Sequence, residues 1–360
     1  MKFYQQRLKR LRLSLARLAD AILITCPENR RYLSGFSPSD VSLTESSGAL
    51  LITSKEAFLL TDPRYQEEAK ECAPLFEPCI YRKGLVAELE KLLPLLGVKK
   101  LLVEPSYVSL SSFRLMEKKL SCEIVEARPL VEKLRAVKDE HEIKLIQESL
   151  RIAEEILAVV AKEIRPGVSE KEIAARIIML SHLKAEGPSF PPIVASGRNA
   201  ARPHAEPSDK KLALHEPLII DMGVKWQGYC SDITRTFWVG EPDERFIKVY
   251  SLVKKAKEAA EAQIRAGVKG ALPDLAAREV FKKEGVDKNF WHSLGHGVGL
   301  AIHEAPTLSF RSRRHLKPNQ VVTVEPGLYF PEWGGVRLED MVVITKQGFK
   351  RLNSLGFLSF

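Results

Sequence analysis

The sequence predicts an α+β protein of two domains, a smaller α/β domain over residues 1–132 and a larger domain over residues 133–360. Three observations support this fold class. The chain has 360 residues, enough for two domains that each bury their own core. Helical and strand-like segments alternate in the first third, as in a small α/β domain. In the remainder, strand-rich blocks lie between and after amphipathic helices.

The first domain is predicted from its alternating pattern. This pattern indicates a helix to about residue 18, strands at 21–25, 49–53, 57–61 and 100–103, and a helix from Arg64. The opening stretch 2–17 is basic with a roughly helical period, which is also typical of a mitochondrial presequence. We expect instead a structural helix that packs on the strand 21–25. The domain contains few candidate catalytic residues.

The second domain is predicted to begin with a long amphipathic helix at 139–164, which ends at Pro166 and Gly167. Ser169 and Glu172 have the spacing of a capping box for the next helix. Two further helices are predicted at 244–266 and 273–284, and the strand-rich blocks lie at 217–239, 293–303 and 320–345.

Composition excludes several classes of protein. Hydrophobic residues make up 45% and charged residues 28%, which is the range of soluble globular proteins. No run of about 18 apolar residues occurs, so we expect no membrane-spanning segment. The net charge is +9 and the pI about 9.2, but Lys and Arg are spread along the chain, so we expect no nucleic-acid partner. Five cysteines without a CxxC pair predict a reducing, cytoplasmic location.

Two aspartates are predicted to face each other in a β-hairpin. A tight turn separates two β-rich runs in the segment LIIDMGVKWQGYCSDITRTFWVG. A turn at Trp226 and Gln227 places Asp221 opposite Asp232, with Cβ atoms roughly 5 Å apart. Two like charges in this position are destabilising, and burial adds to the cost. We therefore expect a positive charge between them.

A second pair of acidic residues repeats this arrangement in the segment VVTVEPGLYFPEWGGVRLEDMVVIT. With its loop centred on Glu332, Glu325 lies opposite Glu339. One such pair also fits a solvated hairpin without a function, whereas two pairs favour a divalent cation site. Four carboxylates and one imidazole suit Mn, Co, Fe or Zn. Because carboxylates can bridge, the set is compatible with two ions about 3.5 to 4 Å apart that share a hydroxide.

The imidazole is expected from the Gly-rich segment HSLGHGVGLAIHEAP, where glycines around His296 let the backbone approach a ligand closely. His292 and His303 lie in the same segment. This is not a zincin helix, because Thr307 stands where that motif has its second histidine. Isolated histidines are more often structural, and that interpretation is kept for four others: His141, His182, His215 and His315.

With these residues in place, the chain resembles the pita-bread metallopeptidases, which include methionine aminopeptidase, aminopeptidase P and prolidase. The resemblance extends from residue 139 to about residue 352 and is carried by the order Asp, Asp, His, Glu, Glu with its flanking sequences. It implies two divalent ions per chain, Mn or Co in the first place and Zn or Fe otherwise. The implied ligands are Asp221, Asp232, His296, Glu325 and Glu339. Asp232 and Glu339 would bridge the ions, and Glu325 would also be the general base.

The resemblance implies roles for four residues around the ions. The stretch SGRNAARPHAEPSD is similar to the segment that supplies a substrate-side histidine, here His204. His303, in HEAP, matches a second such histidine, which helps to stabilise the tetrahedral intermediate or to shuttle a proton. Arg337 matches an arginine that orients the metal-binding carboxylates, with a surface salt bridge as the alternative. His292 matches a histidine that supports the ligands from behind.

Within this family, three segments resemble the aminopeptidase P and prolidase branch: NRRYLSGF, LLITSKEAFLLTDPRYQEEA and PHAEPSD. The implied fold is a pita-bread (creatinase/aminopeptidase-like) catalytic domain preceded by a creatinase-type α/β domain. Relatives of this branch commonly form homodimers. The implied activity is hydrolysis of the bond between an N-terminal residue and proline, so the expected partner is a peptide with proline in second position.

Alternative functions remain open at this point. A methionine-type aminopeptidase usually has the catalytic domain alone, whereas a complete domain precedes it here. Creatinase-like C–N hydrolases and non-enzymatic binding relatives generally lack the ligand set, so the retained ligands disfavour both. Aminopeptidase P and prolidase differ in whether the site admits a long chain or clamps a dipeptide's carboxylate. Arg311, Arg313 and Arg314 in FRSRRHLKP supply such a clamp or form a solvated loop, and we favour the loop.

Overall fold

The computed structural model describes residues 1–38, 40, 42–43 and 45–358. It separates into two units, Met1–Arg135 and Ala136–Phe360. The boundary follows the last residue of the helix Leu130–Arg135. The boundary expected from the sequence falls inside this helix, at residue 132.

The first unit is a sheet covered by helices. Its helices are α1 (Lys2–Leu15), α2 (Pro27–Ser34), α3 (Gln66–Cys72), α4 (Leu85–Leu95), α5 (Leu110–Lys119) and α6 (Leu130–Arg135). Its strands are β1 (Ala21–Ile24), β2 (Ala49–Thr53), β3 (Ala57–Thr61), β4 (Glu77–Ile80), β5 (Lys100–Val103) and β6 (Glu123–Glu126), in the sheet order β4-β3-β2-β1-β5-β6. Leu23 and Leu51 of the sheet pack with Leu89 and Leu93 of α4 and Met116 of α5 in one core. This burial of apolar area stabilises the unit.

Several elements of the first unit agree with the sequence pattern. The strands predicted at 49–53, 57–61 and 100–103 are confirmed as β2, β3 and β5. Helix α1 buries Leu8, Leu11 and Leu15, as a structural helix does, but it contacts mainly α2 and α6 rather than the strand β1 on which it was expected to pack. Nowhere in the described part of the chain is a helix both long and apolar enough to cross a membrane.

The second unit contains helices in two pairs and two acid-bearing ribbons. Its helices are α7 (Glu140–Ala161), α8 (Glu170–Lys184), α9 (Glu244–Glu261) and α10 (Ala271–Lys283). Its strands are β7 (Ile193–Ser196), β8 (Glu216–Met222), β9 (Lys225–Trp226), β10 (Tyr229–Cys230), β11 (Ile233–Val239), β12 (Gly295–Gly297), β13 (Glu304–Leu308), β14 (Val321–Val324), β15 (Gly327–Phe330), β16 (Gly334–Arg337), β17 (Asp340–Ile344) and β18 (Phe349–Arg351). The larger sheets have the orders β11-β8-β7 and β13-β12-β14-β17-β18. The capping box predicted at Ser169 and Glu172 is confirmed at the start of α8.

The second unit repeats one arrangement along the chain. After α7, the Gly167 amide donates to the Leu212 carbonyl, and after α9 the Gly267 amide donates to the Leu316 carbonyl in the same way. Helices α7 and α8 contact each other, as do α9 and α10. Each half then continues into one β-ribbon, β8–β11 in the first half and β14–β17 in the second. The acidic residues sit on these two ribbons.

The register predicted for the first ribbon is wrong by two residues. The turn is formed by Gln227 and Gly228, both at positive φ (46° and 81°), as a type I′ hairpin turn requires. Asp221 is therefore paired with Thr234 instead of Asp232. A shift of two residues keeps each side chain on the same face of a ribbon. Asp221 and Asp232 consequently stay on a common face.

The register predicted for the second ribbon is confirmed. Val324 pairs with Asp340 at the end of β14 and β17, and β15 pairs with β16 in the same register. Glu325 and Glu339, the next residues along each strand, therefore lie across from each other.

Candidate active site

Acidic side chains of the two ribbons converge in the second unit. The carboxylate atoms of Asp221 and Asp232, from the first ribbon, and Glu339, from the second, lie within 4.8 Å of one another, and all three residues are buried. His296 Nε2 lies 3.6 Å from Asp232 Oδ2 and 3.4 Å from Glu325 Oε1. The five residues predicted as metal ligands thus form one cluster.

The His296 ring is oriented toward this cluster by its other nitrogen. His296 Nδ1 lies 3.1 Å from the Gly297 carbonyl, so Nδ1 carries the hydrogen and Nε2 presents its lone pair. Burial, with a smaller contribution from His303, lowers the pKa of His296 to about 4. A neutral imidazole held in this way is the usual state of a metal-binding histidine.

The clustered acids hold their protons more tightly than isolated acids do. Burial raises the pKa of Asp232, and Glu339 and Asp221 raise it further. Burial also raises the pKa of Glu339, with additional contributions from Glu325 and Asp221. The pKa of Glu325 is raised by burial to about 8, although Arg337 opposes the shift. Ionisation of all these acids together is therefore unfavourable unless a cation lies among them.

The donor set fits divalent metal ions. Asp221 Oδ1 and Glu339 Oε1 are buried and have no hydrogen-bond partner within the described residues. A buried carboxylate oxygen without a partner is unfavourable. An oxygen-rich set with one imidazole suits Mn, Co, Fe or Zn. The residues present therefore match the ions that the resemblance implies.

Arg337 connects acids of both ribbons. Its Nη2 donates to Asp221 Oδ2 at 2.6 Å and its Nη1 to the Tyr329 hydroxyl at 2.9 Å. Its Nε donates to Thr234 Oγ1 at 3.2 Å, and that hydroxyl donates to Glu339 Oε2 at 2.6 Å. The Arg337 side chain is only 3% exposed, which excludes a surface salt bridge.

His292 supports Arg337 through Tyr329. His292 Nε2 lies 2.8 Å from the Tyr329 hydroxyl, and Nδ1 lies 2.8 Å from the Ser293 carbonyl. Burial lowers the pKa of His292 to about 3, with a further contribution from Arg337. The neutral ring thus donates through Nδ1 and accepts from Tyr329, which in turn accepts from Arg337.

Sequence reasoning missed two threonines that orient the acids. Thr323 Oγ1 accepts from the His296 amide at 3.0 Å and donates to Glu325 Oε1 at 3.1 Å. Thr234 links Arg337 to the second ribbon in the same manner. Thr234 lies two residues after Asp232, and Thr323 two residues before Glu325. Since alternate residues of a strand face the same side, this spacing is a signal that could have identified both.

A cavity of about 540 Å³ opens over the cluster. His204 and His303, the two predicted substrate-side histidines, line it together with the acids. The ring centroids of His303 and His296 are 4.3 Å apart. Burial lowers the pKa of His303, and His204 lowers it further. One part of the lining is apolar and consists of Phe190, Pro191, Pro192, Ile193 and Ile302.

The loop that carries His204 is held by a buried carboxylate. Glu170, fully buried at the start of α8, accepts hydrogen bonds from the Ser196 amide at 2.7 Å and the Ser208 amide at 3.0 Å. It also accepts from Asn199 Nδ2 at 3.1 Å. Both ends of the loop are therefore fixed, which limits how far His204 can move.

The segment that carries His303 is held by an ion pair. Lys138 Nζ lies 2.5 Å from Glu304 Oε1, with side chains 1% and 7% exposed. Removing one partner of such a buried pair strongly destabilises a protein, because the other charge stays buried without a partner. Lys138 thus positions the residue next to His303.

Without metal, the protein is expected to lose stability as pH rises from about 6.5 to about 8. Glu325, with a pKa of about 8, keeps a proton in the folded state that an ordinary glutamic acid releases near 4.5. The folded state then binds more protons than the unfolded state, so rising pH favours unfolding. Below pH 6.5 the slope flattens, because His292 and His296, with pKa values lowered to about 3 and 4, take up protons mainly when unfolded. Thermal unfolding of EDTA-treated protein across this range measures the effect.

The matched variant for this measurement is Glu325→Gln. It removes one titrating group, so its melting temperature should vary less between pH 6.5 and 8. An unchanged slope in the variant would contradict the assignment of the effect to Glu325.

Comparison with known proteins finds a matching family model for each of the two units. Residues 144–346 match the model of metallopeptidase family M24, and residues 7–137 match that of the creatinase/prolidase N-terminal domain. A Xaa-Pro dipeptidase of Pyrococcus furiosus is 36% identical over 334 residues, covering 92% of this chain and 93% of the relative. The structure of a Xaa-Pro dipeptidase from Bacillus anthracis matches with a TM-score of 0.93 and 36% identity, covering 99% of each chain. That of an X-Pro aminopeptidase from Thermotoga maritima matches with a TM-score of 0.88 and 36% identity, covering 96% of this chain and 98% of the other.

These matches confirm the predicted fold class, a creatinase-type N-terminal domain followed by a pita-bread catalytic domain. The M24 model covers more than half of the chain, including all five clustered residues. The chain therefore belongs to metallopeptidase family M24, on its aminopeptidase P and prolidase branch, and is a metallo-exopeptidase.

Proposed function

We propose that this chain hydrolyses the peptide bond between an N-terminal residue and a following proline, and that it acts best on peptides longer than a dipeptide. The observation that carries the proposal is the buried cluster of Asp221, Asp232 and Glu339 beneath a partly apolar cavity. The relatives from Pyrococcus furiosus, Bacillus anthracis and Thermotoga maritima, all named as Xaa-Pro peptidases, support the substrate class.

Two divalent ions are part of this proposal, Mn or Co in the first place and Zn or Fe otherwise. The residues proposed to hold them are Asp221, Asp232, His296, Glu325 and Glu339. When bound, such ions lower the pKa of a water molecule toward neutrality and polarise the scissile carbonyl.

Glu325 is the proposed general base. Its carboxylate takes a proton from the attacking water as the hydroxyl adds to the carbonyl carbon. The same carboxyl returns this proton to the proline nitrogen as the C–N bond breaks, so that one water is consumed for each bond. Thr323 donates a hydrogen bond to Glu325 Oε1 and so fixes the direction of the carboxylate.

His303 and His204 are proposed to act on the substrate side. Both line the cavity next to the acids, where the substrate is proposed to bind. An imidazole N–H there can donate to the oxygen that becomes negative as the tetrahedral intermediate forms. Fixed loops favour this role, because a donor already in place needs no reorganisation during the reaction.

The charges that line the cavity favour an aminopeptidase over a dipeptidase. A dipeptidase for Xaa-Pro must hold the free carboxylate of proline close to the scissile bond. Arg337 is the one Lys or Arg among the described residues that line the cavity, and its donors are used by Asp221, Tyr329 and Thr234. A substrate carboxylate would therefore lie unpaired near a group of acids, whereas an amide at that place carries no charge.

The Arg-rich stretch after β13 fits the solvated-loop interpretation. Arg311, Arg313 and Arg314 are exposed, and they are absent from the described lining of the cavity. The Arg311 guanidinium lies over the neighbouring Phe310 ring, 5.1 Å from its centroid. These three arginines therefore give no support to a carboxylate clamp.

Hydrolysis of three matched substrates tests this proposal. With Mn-loaded protein, kcat/KM for Ala-Pro-Ala should exceed that for Ala-Pro by roughly tenfold or more, because the dipeptide leaves a charge unpaired. Ala-Pro-amide, which lacks that charge, should resemble the tripeptide. Faster cleavage of Ala-Pro than of Ala-Pro-Ala would overturn the aminopeptidase assignment. Inactivity of the metal-loaded protein on all three would remove the Xaa-Pro function.

Assembly, location and two alternative functions are further predictions for this chain. Homodimer assembly and a cytoplasmic location follow from the family resemblance and from cysteine usage. A methionine-type aminopeptidase and a creatinase-like hydrolase are the alternative functions. Cleavage of Met-Ala peptides without cleavage of Xaa-Pro peptides would favour the first of these.

A further inference from the structure

The C-terminal tail, residues 353–358, lies outside the segment that matches the M24 model, which ends at residue 346. Its backbone and side chains nevertheless contact both acid-bearing ribbons. We propose that this tail is a positioning element of the metal site, which sets the placement of Asp232 relative to Glu339. The inference rests on the proposed function, since it assumes that these two carboxylates hold metal ions.

Arg235 connects the tail to both ribbons. This residue lies on β11, is 3% exposed, and donates to two tail carbonyls, Leu355 O at 2.5 Å and Gly356 O at 3.2 Å. The same guanidinium donates through Nη1 to the Glu339 carbonyl at 2.5 Å. The Phe357 ring covers it, with its centroid 4.3 Å from Cζ. One side chain of the first ribbon thus holds the backbone of Glu339 in the second, and the tail holds that side chain together with Asp340, whose Oδ1 accepts from Nη2 at 2.9 Å.

Asn353 provides a second connection. Its Oδ1 accepts from the Met341 amide at 2.6 Å, in the strand that follows Glu339. The sulfur of Met341 lies 3.3 Å from the Asp232 amide, which donates to it. One hydrogen bond therefore joins the tail to the second ribbon, and another joins the second ribbon to the first.

The tail is itself fixed by the helices behind the site. Glu154 on α7 accepts from the Ser354 amide at 2.8 Å, the Ser354 hydroxyl at 2.5 Å and the Leu355 amide at 2.7 Å. The Leu358 amide donates to the Tyr250 hydroxyl on α9 at 2.9 Å. Because hydrogen bonds to a charged carboxylate are the stronger ones, Glu154 is the main anchor.

The ribbons need such a connection because they belong to different sheets. Strand β11 pairs with β8, whereas β17 pairs with β14 and β18. Among the described residues near the acids, one backbone hydrogen bond joins them, from the Glu339 amide to the Thr234 carbonyl at 3.2 Å. Metal affinity depends on ligand positions to a fraction of an ångström, and supporting residues commonly contribute 10–100-fold to it. The tail contacts act at this junction, beside the contacts by which Arg337 and Thr234 also join the two ribbons.

The test compares two neighbouring carboxylates of α7. Glu154→Gln keeps the side-chain size but removes the charge that anchors the tail, and it should weaken Mn binding roughly tenfold or more. The absorption spectrum of the Co(II)-loaded protein should change as well, because it reports ligand geometry. Glu155→Gln is the control, since Glu155 is 45% exposed and pairs with Arg151 and Lys184 on the surface. It should leave both readouts unchanged.

A second variant protects the test against a folding defect. Asn353→Ala removes the acceptor for the Met341 amide without touching Glu154, and we expect the same two changes in a protein whose metal-free melting temperature falls by only a few degrees. If Glu154→Gln and Asn353→Ala both bind Mn as the parent does and give its Co(II) spectrum, the inference is wrong. If the parent itself binds no metal, the proposed function fails instead.

Discussion

Replacement of Asp232 by Asn, or of Glu339 by Gln, is expected to abolish metal loading and to lower kcat/KM on Ala-Pro-Ala by at least about 1000-fold. Both side chains are almost fully buried, at 5% and 1% exposure, and each substitution keeps the size while removing one charge. These are the two acids to which the family resemblance assigns bridging. The bound metal per chain, measured by mass spectrometry after dialysis, and the hydrolysis rate test the expectation together.

Folding of these variants should be intact, which separates a metal effect from a general defect. In the metal-free protein Glu339 raises the pKa of Asp232, and Glu325 and Asp221 raise that of Glu339, so loss of one acid from the cluster relieves repulsion. The metal-free variants are therefore expected to resist urea at least as well as the metal-free parent. Glu332→Gln is the matched control, because Glu332 lies on the second ribbon but its side chain is 85% exposed. Full turnover in either buried variant would refute its assignment as a ligand.

The first ribbon shows which features of the site the strand period of the sequence can predict. The sequence pattern located both β-rich runs and the turn region, but it placed the turn one residue early. Gly228, which tolerates positive φ, was the available signal for the turn that forms. The resulting shift of two residues left the acids on one face, because strand faces alternate with a period of two. Convergence of the acids was therefore predictable even though the pairing of Asp221 was not.

Contacts between distant parts of the chain were not predictable from local pattern. Lys138 and Glu304 form a buried pair across 166 positions, and Ser354 reaches Glu154 across 200. Neither helical nor strand period carries information about such partners, since each residue alone fits an ordinary solvated surface. Tyr329 is similar: its hydroxyl joins His292 to Arg337, yet in the sequence it reads as one aromatic residue of a strand. Tertiary packing decides these positions.

Arg337→Met is expected to lower the stability of the metal-free protein by about 3 kcal/mol near pH 8 and kcat/KM by roughly 100-fold. The substitution keeps an unbranched apolar stem but removes the hydrogen bonds to Asp221, Tyr329 and Thr234. Glu339 then loses its indirect connection to the guanidinium. Without the Arg337 donor, the Thr234 hydroxyl is free to rotate away from Glu339. Arg337→Lys retains the charge with one ammonium in place of a planar fork, so it should fall between the parent and the Met variant. Urea unfolding and steady-state kinetics measure the two effects.

The pH dependence of this deficit separates loss of charge from loss of packing. Arg337 lowers the pKa values of Asp232, Glu325 and Glu339 in the folded protein. Without it those values rise further above the unfolded ones, so the folded variant binds more protons over a wider range than the parent does. Stability must then decline more steeply with rising pH, and the difference between variant and parent should shrink as pH falls toward about 5.5, because Glu325, with a pKa of about 8 in the parent, is then protonated in both. A deficit that stays constant from pH 5.5 to about 8 would mean that Arg337 stabilises the protein through packing alone.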